Sequence, residues 1–363
     1  MGWCTPISDG PLYGGLFLDG FCRRWGLRPS AAAAADARRL ARGLVALAEC
    51  SPVAGFVARC FSEDGRSYYP ASSEDQVLPW AYGLWRYWRS PLPDAAEKVR
   101  IAGLIRRMVA GIEELGWRVP CDPTAFGFRG HFLGAKHKDA ARLLFLNRLL
   151  HDLTGDERWA RNYRKLALER VGPGPKNRLE WCAEGMEFVN SAVEVIATHE
   201  TASVSRSLWT SSLAQAALRG LWELEDDPAW RDAYARGLNR NARAARPHCA
   251  RGRAHAQGSR GTFEVDWRFL NETWRSQVNC DEAIVLARSQ LPVWEARSVR
   301  SRWEDDTMRE PLFAAWIALQ AVDNGLRREV VAEVRRLLHF YRWESLFTAG
   351  FGIVVGIDHW FQD

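Results

Sequence analysis

Two kinds of helical segment alternate along this chain, and that alternation limits its folds more than any other feature. Segments 77–88, 140–150, 208–218 and 312–322 are apolar around nearly their whole circumference. Segments 94–115, 157–169, 229–244 and 326–341 carry one apolar stripe and a charged face. In the last of these, Val330, Val331, Val334, Leu337, Leu338 and Tyr341 form the stripe, while arginine and glutamate face away. A helix apolar all round must be covered on every side, whereas a striped helix lies on the outside. Strand-like alternation is nearly absent. The joints recur as well: LTGDERW (153–159) and LEDDPAW (224–230) share the pattern Leu-x-x-Asp-x-x-Trp. A repeated joint implies a repeated helix-pair unit, and about eleven helices, close to six pairs, are expected. The simplest assembly is an all-α closed double ring, one domain over 1–363, with the apolar helices inside. An open solenoid is the alternative, and it requires polar capping repeats, which are not evident.

In a ring of helix pairs all inner helices run the same way, so the residues at their starts converge on one mouth. Those residues are Tyr68, Tyr69, Asp75 and Gln76, then His131, His137 and Asp139, then Glu180, Trp181, Glu184 and Asn190. Trp209 and Ser211, Asp281 and Glu282, and Arg309 and Glu310 complete the set. Carboxylates and aromatic rings gather there, the mixture that suits sugars: flat faces against apolar sugar faces, and carboxyl groups for proton transfer at the glycosidic bond.

Asp75, at the start of a buried helix, is favoured as an anion by the helix dipole and disfavoured by desolvation. Those opposed effects suit a general acid or base, although Ser73-x-x-Gln76 also reads as a simple capping box. RGHFLGAKHKD (129–139) offers Arg129, His131 and His137 to a substrate carboxylate, with His131 also a proton donor; its plain reading is a solvated loop. EWCAEGMEFVNSAVEVIATHET (180–201) supplies Glu184 as second carboxylate, one helical turn from Glu180, with Asn190 and His199 beyond. MREPLFAAW places Arg309 and Glu310 just before a Pro311 helix start. The stretch 236–261 holds seven arginines and no acid. It reads as a solvated segment rather than a polyanion contact, since no aromatics interleave.

Several function classes are excluded. A net charge of +5 on 363 residues is small and does not force a nucleic-acid footprint, so no nucleic-acid partner is expected. The longest apolar run, SLFTAGFGIVVGI, is too short to span a bilayer, so no membrane partner is expected. Eight scattered cysteines without a CxxC pair, and no signal peptide or myristoylation pattern at the N-terminus, point to the cytoplasm. Phosphate-binding, dinucleotide, serine-elbow and HExxH motifs are missing, so no cofactor is implied. His131 and His137 lack a third ligand, and His248, Cys249 and His255 do not reproduce a zinc spacing, so no metal is expected. The 18 tryptophans either pack helices or line a cleft.

The residues DGRSYYPASSEDQ followed by YGLWRYW, the LTGDxxW joint and SLWTSSLAQAALRGLWELEDDPAW resemble the six-hairpin (α/α)6-toroid glycosidase superfamily. Unsaturated-glucuronyl hydrolases, glucuronidases and toroid polysaccharide lyases belong to that group. The resemblance implies an (α/α)6 toroid acting on an acidic carbohydrate. The expected activity is hydrolysis beside a uronic acid, with Asp75 as acid or base, Glu184 as its partner and His131 assisting. Arg129, His131 and Arg309 would hold the substrate carboxylate, and Tyr69, Trp80, Trp181 and Trp209 would stack on sugar rings. Tyr68, Gln76, His137, Asn190 and Glu310 would complete the binding surface. β-Elimination on the same fold, or a non-catalytic glycan- or peptide-binding scaffold, are the alternatives.

Overall fold

The structure, a computed structural model, describes residues 9–62, 65, 67–171, 174–188, 204–205, 207–257, 261–264, 266–341 and 343. The described residues form thirteen α-helices and a few very short strands, so the chain is mostly helical. In order come α1 (Gly10–Leu27), α2 (Ala31–Glu49), α3 (Glu74–Arg89) and α4 (Ala95–Glu114). A hairpin of β1 (Arg118–Pro120) and β2 (Phe128–His131) leads to α5 (His137–Thr154), α6 (Glu157–Leu168) and α7 (Arg178–Glu184). A parallel pair, β3 (Glu187–Phe188) and β4 (Val204–Ser205), precedes α8 (Leu208–Leu224) and α9 (Pro228–Ala245). Two 3₁₀ segments (Arg246–Gln257 and Trp267–Thr273) lead to α10 (Cys280–Arg297) and α11 (Val299–Glu304). A π turn (Asp305–Arg309) then runs into α12 (Glu310–Leu319), and α13 (Asn324–Leu338) follows.

Five helices, α1, α3, α5, α8 and α12, form the inner layer, and their cross-links show that they run in one direction. Asp9 at the start of α1 accepts from Gln76 at the start of α3 (2.8 Å), while Asp19 accepts from Tyr82 further down (2.9 Å). Arg142 reaches back to Asp75 (2.9 Å) near the starts of α5 and α3, and Trp85 donates to Asp152 (2.8 Å) near their ends. Phe145 packs on Gly220 between α5 and α8. Glu310 accepts from the Leu208 amide (2.7 Å), and Gln215 donates to the Ile317 carbonyl (3.1 Å), tying α8 to α12 in the same sense.

The sequence explains which helices went inside. All ten residues of α12 are buried, as an all-round apolar segment requires. Gly15 and Gly83 let α1 and α3 touch backbone to backbone; a Cβ on Gly15 would lie 1.8 Å from the Pro79 carbonyl oxygen. Trp80 and Trp85 fill the space between layers, Trp85 edge-on to Phe145 (centroids 5.4 Å apart). At the C-terminal ends, Arg86 bridges Asp19 and Glu223 from three different inner helices, a buried ionic tie that sets their register.

Capping divides the layers too. The outer helices α2, α4, α6, α9 and α13 are each capped by their own Ser or Asp: Ser30, Asp94, Asp156, Asp227 and Asp323. Asp156 and Asp227 are the acids of the two repeated joints, whose function is thus to start the outer helix. None of the five inner helices is capped by its own N-cap side chain. The first amides of α1, α3, α5 and α8, and the positive ends of their dipoles, are left to whatever lies at that end, while α12 continues the π turn before it. Among the described residues, no helix is long and apolar enough to cross a membrane.

Candidate active site at the starts of the inner helices

The start of α3 is built by a residue outside the helix. Arg59, from the loop after α2, is 3% exposed. It donates to the Ala71 carbonyl (3.0 Å), the Ser73 hydroxyl (2.9 Å) and Asp9 (2.9 Å). The expected Ser73–Gln76 capping box therefore does not form. Arg59 takes the Ser73 oxygen, and the Gln76 amide turns to Asp9 instead. Gln76 is 1% exposed and works as a strut between α1 and α3, which corrects its assignment to substrate binding.

Beside this strut the first turn of α3 leaves Glu74 and Asp75 half-buried, with Asp139 from α5 close by. One guanidinium, Arg142, serves all three: it bonds Asp75 at 2.9 Å, bonds Asp139, and stands 4.0 Å from Glu74. Arg142 is itself 1% exposed, so three carboxylates share one buried positive charge. Glu74 ends up least satisfied. Burial pushes its pKa up, the neighbouring Asp75 adds to the rise, and Arg142 offsets only part of it. The loop 129–139 closes over these acids through its glycines. Gly130, at φ +75°, lies so near Glu74 that a Cβ would stand 1.6 Å from a carboxylate oxygen, and a Cβ on Gly134 would stand 2.0 Å from an Asp139 oxygen.

Tyr69 faces the same region. Its hydroxyl is buried without a hydrogen-bond partner among the described residues, and burial drives its pKa upward while Arg129 and Arg59 pull it back. The hydroxyl of Tyr68, by contrast, is held by Asp122 at 2.6 Å.

A second acidic arc comes from α12, α8 and α1. Arg309 pairs with Asp305 (3.0 Å) and approaches Glu310 (3.6 Å), with its guanidinium 5.8 Å from the centre of the Trp209 ring. Burial raises the pKa of both Asp305 and Glu310, with Arg309 opposing. Tyr13 of α1, pushed up to about 12 by burial, lies in the field of Arg309, Asp9, Asp305 and Glu310. The expectation that Arg309 precedes a helix start is corrected: α11, the π turn and α12 form one continuous helical path through it. A π turn inside a helix re-aims its side chains and often marks a functional site.

Other expected site residues lie elsewhere or do other work. His137 is fully buried, its ring between the Trp181 carbonyl (3.2 Å) and the Asn241 amide (3.0 Å), and burial lowers its pKa to about 4. It is a neutral structural bridge, not a substrate contact. Trp80 is 0% exposed and donates to the Leu44 carbonyl (2.8 Å), and Trp181 is 5% exposed with Lys136 and Lys176 over its ring. Neither has a free face for a sugar, so both stacking assignments are corrected. Trp209 remains half-exposed. His131 is exposed and accepts from the Leu133 amide (3.2 Å). Glu180 forms a reciprocal capping box with Asn177 at the start of α7. Glu184, at the end of α7, pairs with Lys176 rather than with the Arg142 cluster. It lines a surface groove of about 430 Å³ with Arg236, Arg240 and Arg243. Ser211 is buried and donates back to the Ser207 carbonyl (2.8 Å). Asp281 and Glu282 stand exposed at the start of α10. Asn190 and His199 lie outside the described residues.

Sequence reasoning passed over Glu74, Arg142, Arg59, Asp9 and Asp305. Arg142 carried a readable signal, since a lone arginine in the apolar run AARLLFLN implies a buried counter-ion. Arg59 and Asp9 carried none, because their partners come from distant turns of the chain. Compared with known proteins, the chain matches no family model, no curated protein and no solved structure.

Proposed function

We propose that the chain is a glycoside hydrolase on a toroid of paired helices, acting beside an acidic sugar. The ring reading is supported by contacts that pass from α1 through α3, α5, α8 and α12 and return to α1 where Tyr13 meets Phe313 (centroids 6.2 Å apart). The observation that carries the activity is the pairing of Glu74, a carboxyl whose pKa burial and the neighbouring Asp75 raise, with Asp75, ion-paired to Arg142. Two carboxyl groups in contrasting environments are what acid–base cleavage of a glycosidic bond needs. Glu74 would protonate the departing oxygen and Asp75 would act on the sugar or on water, so Glu74 replaces Glu184 as second carboxylate. Arg129 and Arg309 would receive the substrate carboxylate, and Trp209 would stack on a ring. β-Elimination is less favoured, because a tyrosine base needs a lowered pKa and Tyr69 has a raised one.

The test is turnover of uronide-containing oligosaccharides, followed by reducing ends and by the ultraviolet absorbance of a new double bond. Glu74→Gln and Asp75→Asn should each cut the release of reducing ends by about 10²–10⁴-fold with an unchanged circular dichroism spectrum. Unchanged turnover in both variants refutes the assignment, and rising absorbance transfers the chain to the lyases.

A further inference from the structure

Two cysteines far apart in sequence meet behind Tyr69. Cys121 follows β1 and is fixed by backbone: its amide donates to the Gly127 carbonyl (2.9 Å), and it forms an antiparallel bridge with Ala71. Cys280 is the first residue of α10, behind Asn279, whose side chain accepts from the Glu282 amide (2.9 Å). With Ala71 the two thiols form a small buried cluster separate from the main core, covered by Tyr69, Phe126 and Ile284.

The pair is electrically asymmetric. The two thiols adjoin in that cluster, and the Cys121 thiol, against burial and with help from Arg129 and Arg59, holds the Cys280 pKa down at about 7. The Cys280 sulfur and burial push the Cys121 thiol up. A helix start adds its dipole to the stabilisation of a thiolate. The remaining described thiols are the reverse case. Burial pushes Cys22, Cys60, Cys182 and Cys249 up, and Cys50 is raised to about 11. Cys280 is therefore the one described sulfur given thiolate character with a second sulfur against it.

We propose that Cys121 and Cys280 are a redox site, oxidised by a peroxide to a disulfide that ties the start of α10 to the hairpin segment beside Tyr69 and Arg129. The Cys280 thiolate attacks hydrogen peroxide: an S–O bond forms, the O–O bond breaks and hydroxide leaves. The Cys121 sulfur then attacks the resulting sulfenic acid. An S–S bond forms, the S–O bond breaks, and the Cys121 proton leaves with the hydroxyl as water. Together the steps oxidise two thiols and reduce one peroxide to two waters, and a small thiol reverses them by exchange. α10 packs otherwise on the Trp267–Thr273 segment and α11, so the bond would add a covalent link at the point where it meets the hairpin.

The experiment exposes the intact protein to graded hydrogen peroxide, alkylates the remaining thiols and maps the digest by mass spectrometry. A Cys121–Cys280 cross-linked peptide, lighter by two hydrogens, should appear before Cys22, Cys50, Cys60, Cys182 or Cys249 is modified, and dithiothreitol should remove it. In Cys121→Ser, Cys280 should instead be trapped as sulfenic acid by a dimedone-type reagent. The proposal fails if Cys280 goes to sulfinic acid without a cross-link, or if another pair closes first. It fails equally if both thiols stay alkylatable at a peroxide level that oxidises the rest. Mapping the unmodified chain needs no variant and no substrate, so the result stands whether or not Cys121→Ser folds and whether or not the hydrolase reading holds.

Discussion

Replacing Arg142 by methionine tests the electrostatic reading of the site most directly. Methionine keeps the length of the buried stem and removes the charge that Asp75, Asp139 and Glu74 share. Removing one partner of a buried ionic cluster costs about 3–5 kcal/mol, because the other partners stay behind without compensation. Here the carboxylate side chains keep 23%, 30% and 18% of their exposure, so water recovers part of the loss and the lower end, about 3 kcal/mol, is expected. For a chain of 363 residues that is a drop of about 4 °C in Tm at neutral pH, read by differential scanning calorimetry.

The pH dependence supplies the sharper check. The folded Glu74 pKa already lies above 4.5, so its effect on stability is favourable below 4.5 and is lost as pH rises through the folded value. Without Arg142 three clustered carboxylates lose their shared counter-charge, so the deficit should be largest near neutral pH, where they repel, and shrink in acid. A deficit under about 1 °C, or one equally large at about pH 4 and about pH 8, refutes the shared-charge reasoning.

Two further substitutions probe the inner layer. Gly15→Ala puts a Cβ against the Pro79 carbonyl, which cannot swing aside, and should cost about 3 kcal/mol or more in urea unfolding. Gly43→Ala, in open space on α2, should be neutral or gain up to about 1 kcal/mol, and equal effects at the two positions would sink the close-contact account. Glu223→Gln removes the carboxylate charge that Arg86 shares with Asp19 and that Arg219 also pairs with, and should lose about 3 kcal/mol at neutral pH. Burial disfavours the Glu223 charge, but Arg86 and Arg219 outweigh it and hold its pKa below 4.5. Its contribution is thus present above 4.5 and lost as pH falls through the folded value, so the variant should unfold less steeply in acid. A parallel acid limb in both proteins contradicts that.

How far the sequence was legible varies by residue. Four outer helices, α4, α6, α9 and α13, were readable to within a few positions, because a stripe with a capping Asp, as at Asp156 and Asp227, is a local signal with a local cause, whereas α2 was not read. Asp75 was placed in the first turn of a buried helix by the same kind of signal. Ser73 and Gln76 were not readable, since a capping box satisfies the same atoms locally that Arg59 and Asp9 satisfy from elsewhere. Trp80 and Trp209 looked alike as rings on inner helices. Only depth along the helix separates them, Trp80 lying almost two turns in and Trp209 at the start.

The order of residues alone determined that this chain is helical, that some helices are enclosed and others face water, and where most of them begin. Periodicity and caps act within a turn or two of chain, so they survive without knowledge of neighbours. Which acids share Arg142, which histidine is sealed from solvent and which two thiols touch were decided by tertiary structure. Those pairings join residues that become adjacent only when separate helices pack, and charge and burial respond to whatever stands within a few ångströms, wherever in the chain it originates.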